Sequence, residues 1–151
     1  MKSLLLLSVV ALLSAGTAQS SHNDLGRKTE TPNRLVGAWK LVSLEEPRAD
    51  GQLHKADCAG IFAFTSDGKA SVQVMYLDAK SGSGYAQSGY EASYGSYRID
   101  DSSTFTFHIE GALVRTLIGK DLKRKYEIYG DRMTVTSTDP NEHWRVVWEH
   151  Y

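Results

Sequence analysis

Eight short strand-like segments follow one another from Leu35 to the end of the chain, and the first opens Leu35-Val36-Gly37-Ala38-Trp39-Lys40-Leu41. A Gly-x-Trp on the first strand of an all-β chain narrows the possible folds more than any other feature. The segment Thr104–Glu110 shows the period of two most clearly. Phe105, Phe107 and Ile109 share one face, and Thr104, Thr106 and His108 share the other. The turns Ser66-Asp67-Gly68, Asp100-Asp101-Ser102-Ser103, Gly130-Asp131 and Asp139-Pro140-Asn141 are short, so neighbours in sequence can be neighbours in space. The expectation is an all-β, eight-stranded antiparallel up-and-down barrel enclosing a cavity of side-chain size or slightly larger.

The expected strands are Arg34–Glu45, Ala59–Thr65, Lys69–Leu77, Glu91–Ile99, Thr104–Glu110, Leu122–Ile128, Arg132–Ser137 and His143–Glu149. Pro47–Ala56 reads as a loop around the Asp50-Gly51 turn pair. Asp78–Tyr90, rich in Gly, Ser and Tyr, reads as the longest loop of the barrel and as a candidate lid carrying Tyr85 and Tyr90. Gly111–Gly119 is apolar, bounded by Gly at both ends, and short enough to bend across the barrel.

The chain begins differently. Lys2 precedes an apolar run from Leu4 to Leu13, and Gly16 and Ala18 supply the small residues a secretory cleavage site needs. Residues 1–18 are therefore expected to be a signal peptide, 19–33 a flexible leader and 34–151 the barrel domain. The protein is expected to be secreted: extracellular, or periplasmic if the source is bacterial. With 17 basic against 18 acidic side chains, scattered along the chain, it lacks the basic stripe that nucleic-acid binding requires. After residue 18 no apolar run is long enough for a transmembrane segment. Cys58 is the single cysteine, without a Cys-His motif around it, and reads as a small packed residue where its strand begins.

At this point the chain resembles a known family. Leu35-Val36-Gly37-Ala38-Trp39-Lys40-Leu41-Val42-Ser43 is similar to the opening of the lipocalin-like domain, a calycin-type barrel. Thr65-Ser66-Asp67-Gly68 with Ser71-Val72-Gln73-Val74-Met75 resembles its second hairpin, and Tyr94-Gly95-Ser96-Tyr97-Arg98-Ile99-Asp100 its fourth strand. His108-Ile109-Glu110-Gly111-Ala112-Leu113, Gly119 and Arg124-Lys125-Tyr126-Glu127-Ile128 resemble its fifth and sixth. The family often has His where this chain has Phe107, and Pro and Trp where it has Arg115 and Leu117. The resemblance implies a ligand cavity more than an activity.

Among residues able to carry chemistry, Arg124 stands out. It shares strand parity with Leu122, Tyr126 and Ile128, which sends its guanidinium into the barrel, where a buried charge needs a partner. Either it stacks on Trp39 and closes the barrel base, as the resemblance implies, or it anchors a ligand. His108 has the parity opposite to Phe105 and Phe107, so inward phenylalanines send it outward; with Glu110 it makes a two-group pair, too few for a metal site. Tyr94, Tyr97 and Tyr126 offer phenols, and Trp144 and Trp148 share a face of the last strand. No phosphate loop or Ser-His-Asp arrangement is recognisable. The leading expectation is a carrier of a small hydrophobic or amphipathic molecule bearing an anionic or carbonyl group. Arg124, Tyr97, Tyr126, Phe105, Phe107 and Trp39 would line its cavity. The alternative is a cofactor-free isomerase or cyclase acting on a small natural product through His108, Tyr97 and Arg124. Neither reading calls for a cofactor or a metal.

Overall fold

The computed structural model describes residues 33–151; the expected signal peptide, and the expected leader apart from Asn33, lie outside the described residues. Nine strands follow in order: β1 Gly37–Pro47, β2 Leu53–Lys55, β3 Cys58–Phe64, β4 Lys69–Tyr76, β5 Tyr90–Ile99, β6 Thr104–Ala112, β7 Asp121–Tyr129, β8 Arg132–Ser137 and β9 Arg145–His150. Every pairing is antiparallel between neighbours, and β9 returns to pair with β1, which closes an eight-stranded barrel. The extra strand, β2, pairs only with the far end of β1, through Glu45–Pro47. It falls within the segment read from sequence as the loop Pro47–Ala56, since three residues flanked by turn signals leave no readable period. The only helical turn among the described residues is a 3-10 turn at Arg115–Leu117, inside the apolar segment bounded by Gly111 and Gly119.

The two ends of the barrel differ. Tight turns join β3 to β4, β5 to β6 and β7 to β8 at one end; the longer segments 48–57, 77–89, 113–120 and 138–144 all gather at the other. Apolar side chains plug the tight-turn end. Trp39, Phe105, Leu35 and Met133 are almost wholly buried there, and Leu35 accepts a 2.8 Å hydrogen bond on its carbonyl from Trp39 Nε1. Phe64 packs edge-on against Tyr97 and Phe105, with ring centroids 5.0 and 5.6 Å apart. Such edge-to-face pairs add about 0.5–1.5 kcal/mol beyond the area they bury.

Two backbone features shape this frame. Gly37 has φ +135°, and a Cβ there would lie 2.3 Å from His150 Nε2, so glycine alone lets the His150 ring pack edge-on against Trp39. A bulge in the β1–β9 ladder between Leu41 and Ser43 shifts the alternation by one residue. Trp39 and Leu41 are buried, as simple parity demands, but beyond the bulge it is Leu44 that is buried and Glu46 that follows it to the barrel interior.

Candidate functional site

Beneath the long loops the interior opens into a cavity of about 610 Å³. Its body is apolar: Leu41, Leu44, Phe62, Val72, Val74, Phe107, Leu122, Val135, Val146 and Trp148 contribute from seven strands. Alternation supplies this wall, since every second residue of a barrel strand points inward. Leu117, from the 3-10 turn, adds to it from the loop above.

Polar groups gather toward the mouth, and Arg124 on β7 is their centre. Its guanidinium lies against two aromatic rings, 5.2 Å from the centroid of Tyr85 and 5.0 Å from that of Trp144. Nη2 donates to the Tyr85 hydroxyl at 2.9 Å; Nη1 donates to Ser137 Oγ at 3.3 Å and to Glu142 Oε2 at 3.4 Å. The Tyr85 hydroxyl in turn donates to Glu142 Oε1. Burial pushes the Tyr85 phenol up to about 12, with the Arg124 charge pulling the other way, so the hydroxyl keeps the proton it donates. Burial also works against the Glu142 carboxylate. Ser137, Tyr85 and the Arg124 charge outweigh it and hold that carboxyl below its ordinary range. Trp144 Nε1 is buried near this carboxylate without reaching hydrogen-bond geometry.

Two further carboxylates reach the cavity. Glu46 accepts the Tyr76 hydroxyl at 3.0 Å, and burial, then the Glu46 charge, raise that phenol well above its ordinary value. Glu91 on β5 stands opposite Val74 of β4 in the ladder and shares a face with Ser93. Among the described residues no side chain hydrogen-bonds or ion-pairs with it. Glu91 is half-buried and lines the cavity, and burial pushes its carboxyl up to about 7 against a pull from Arg124.

The expected site residues divide. Arg124 and Phe107 line the cavity. Trp39, Phe105, Tyr97 and Tyr126 do not: they belong to the plugged end, where Phe105 and Tyr126 pack with centroids 5.8 Å apart. The Tyr97 hydroxyl is taken up in structure, donating to the Thr65 carbonyl at 2.9 Å and accepting from Asn33 Nδ2 at 2.7 Å. Arg124 stacks on Trp144 and Tyr85 rather than on Trp39, because it lies toward the mouth and Trp39 lies at the base. His108 points outward, with Nδ1 2.7 Å from Asp121 Oδ1, and Glu110 pairs with Lys69 at 2.7 Å. The three groups weighed for an isomerase or cyclase therefore do not converge on one cavity. Tyr94 is exposed on the outer face. Among the described residues no three His, Cys, Asp or Glu side chains come together as a metal site. Cys58 Sγ approaches the Ala56 carbonyl at 3.8 Å, and burial pushes the thiol up to about 11, which leaves little nucleophilic thiolate.

Sequence reasoning missed Glu46, Glu91, Tyr76 and Glu142 as polar lining of the mouth. For Glu91 a signal existed: it shares parity with Ser93 and Tyr97. Glu142 comes from a loop, where alternation says nothing, and Trp144, expected on the last strand, lies just before β9.

A closed antiparallel barrel plugged at one end, with an internal cavity and a polar mouth at the other, defines a lipocalin-type architecture. The chain belongs to the lipocalin-like domain family, whose family model matches residues 36–150. Solved structures similar to it include a lipocalin-like protein from Bacteroides uniformis, at 16% identity and TM-score 0.49, covering 78% of this chain and 98% of that one. An uncharacterized protein from Bacteroides eggerthii matches at 18% identity and TM-score 0.46, covering 78% and 99%. The lipoprotein YedD from Klebsiella pneumoniae matches at 14% identity and TM-score 0.43, covering 80% and 74%. No curated protein matches the chain. Among the described residues no helix is long and apolar enough to cross a membrane.

Proposed function

We propose that this protein binds a small, largely apolar molecule in the barrel cavity, with the molecule's polar end toward the mouth. One observation carries the reading: a cavity of about 610 Å³ with an apolar body and its polar groups confined to the mouth. That size falls within the range of about 300–1,000 Å³ that small-molecule sites occupy. The Arg124 guanidinium already serves Glu142, Tyr85 and Ser137, which favours a carbonyl or hydroxyl oxygen beside it over an anion that would have to displace Glu142. Titrating the protein with a panel of lipophilic molecules tests this, because Trp144 and Trp148 line the cavity and their fluorescence responds to its filling. Saturable quenching is expected, and Val74→Trp, which fills the cavity, is expected to abolish it. Quenching that survives in the filled variant would overturn the reading.

The same proposal places the protein outside the cytosol, on the strength of Lys2, the apolar run Leu4–Leu13 and the small residues Gly16 and Ala18. N-terminal sequencing of exported material is expected to start at Gln19. A chain that remains in the cytosol with Met1 intact would contradict it.

A further inference from the structure

We infer that the cavity selects ligands that carry a protonated amine, with Glu91 as the group that binds it. This rests on the cavity-binding reading above and deepens it by naming the ligand's chemical class.

Most charged groups that line the cavity are already engaged. Arg124 and Glu142 neutralise each other and share Tyr85. Glu46 takes the Tyr76 hydroxyl. Lys120 and His143 are exposed on the rim. Glu91 is left over. It is a half-buried carboxyl that lines the cavity, with no hydrogen bond or ion pair to any described side chain. A carboxylate held against apolar walls without a partner is costly, and a cation brought by a ligand lowers that cost. A metal ion suits the place poorly, since no other two ligating side chains join Glu91 there. An organic ammonium suits it better. Its carbon body covers Val72, Val74 and Phe107, and its charge meets the carboxylate with Tyr76 on the adjoining strand and Trp148 on the wall. Aromatic faces attract such cations, and the mouth already holds one cation, Arg124, against two of them.

The inference has a pH signature. Burial keeps a proton on Glu91 up to about pH 7, with Arg124 opposing it. A proton therefore competes with the ammonium below that point and releases the carboxylate to it above. Amine affinity should rise through this window, whereas the affinity of an uncharged ligand of equal length should stay flat. The other titratable or charged groups that line the cavity are Tyr76 on β4, Glu46 on β1, Lys120 just before β7, Arg124 on β7, Tyr85 in the β4–β5 loop, and Glu142 and His143 in the β8–β9 loop. His143 is the one that needs a control.

The test uses three ligands of one chain length: octylamine, octanol and octanoate. Each is titrated by tryptophan fluorescence and calorimetry against the full-length mature chain, Glu91→Gln and His143→Asn. At about pH 8.5 octylamine is expected to bind about tenfold or more tightly than octanol, with that advantage gone by about pH 5.5. Glu91→Gln should bind octanol as before while losing both the amine preference and its pH dependence; His143→Asn should keep both. If octanol or octanoate binds and octylamine binds no better, the inference fails and the cavity reading survives. An amine preference that persists in Glu91→Gln also overturns it. If all three fail to bind, the cavity reading falls, and this inference with it.

Discussion

Glu91 has consequences for the stability of the fold itself. Its carboxyl is lifted from 4.5 to about 7 in the folded state. Between those values the folded chain holds a proton that the unfolded chain has already released, so stability falls as pH rises through the window and stays lower above it. Glu91→Gln removes the penalty. At about pH 8 the variant should be more stable than the parent by about 2–3 kcal/mol, and at about pH 4 the two should match, since both groups are then neutral. Urea unfolding at the two pH values measures this, and a variant no more stable at the higher pH would refute the burial argument. Alternation in the sequence was enough to send Arg124, Phe105, Phe107 and Tyr126 inward. It could not say how far along the barrel each one lies, because depth depends on strand register and stagger. Phe107 therefore reaches the cavity, whereas Phe105, two residues nearer the tight turn, is sealed into the plug.

Among the elements, the segment between β4 and β5 does most to define the mouth. Gly82, Ser83, Gly84 and Tyr85 line the cavity, and Tyr85 ties this segment to β7 through Arg124 and to the β8–β9 loop through Glu142. Tyr85→Phe deletes both hydrogen bonds and keeps the edge-on ring contact with Trp144, whose centroid is 6.3 Å away. The segment should then open more readily. Dissociation of a bound ligand, followed by stopped-flow fluorescence, should be about three- to tenfold faster, at about 1 kcal/mol for the lost bonds. An unchanged rate would show that the segment does not limit exit. Strand positions were legible to within a few residues, because turn signals punctuate a regular period of two. The shift at Leu41 and Ser43 was not legible: a bulge depends on how β1 meets β9, not on the residues of β1 alone. That shift is what brings Glu46 inside.

At the scale of the whole molecule the barrel separates two tasks. One end is close-packed and supplies stability; the other is hollow and carries the charged and aromatic groups. Gly37-Ala38-Trp39 and the order of short turns made the architecture readable, since both are local in sequence. The polar mouth is assembled from strands and loops far apart in the chain, so Arg124, Tyr85 and Trp144 stood out singly but not as one cluster. The closing ladder between β1 and β9 has one more consequence. Trp39 pairs with His150, and Tyr151 N–H bonds to the Ala38 carbonyl at 3.0 Å, so the two ends of the barrel's chain meet at the plugged end. Such a ring has no obligatory starting point. Joining residues 33 and 151 through a linker and reopening the chain at Asp50-Gly51 preserves all eight ladders of the barrel wall. That circular permutant places its new termini among the loops of the mouth, where a fused reporter would register the ligand capture proposed above.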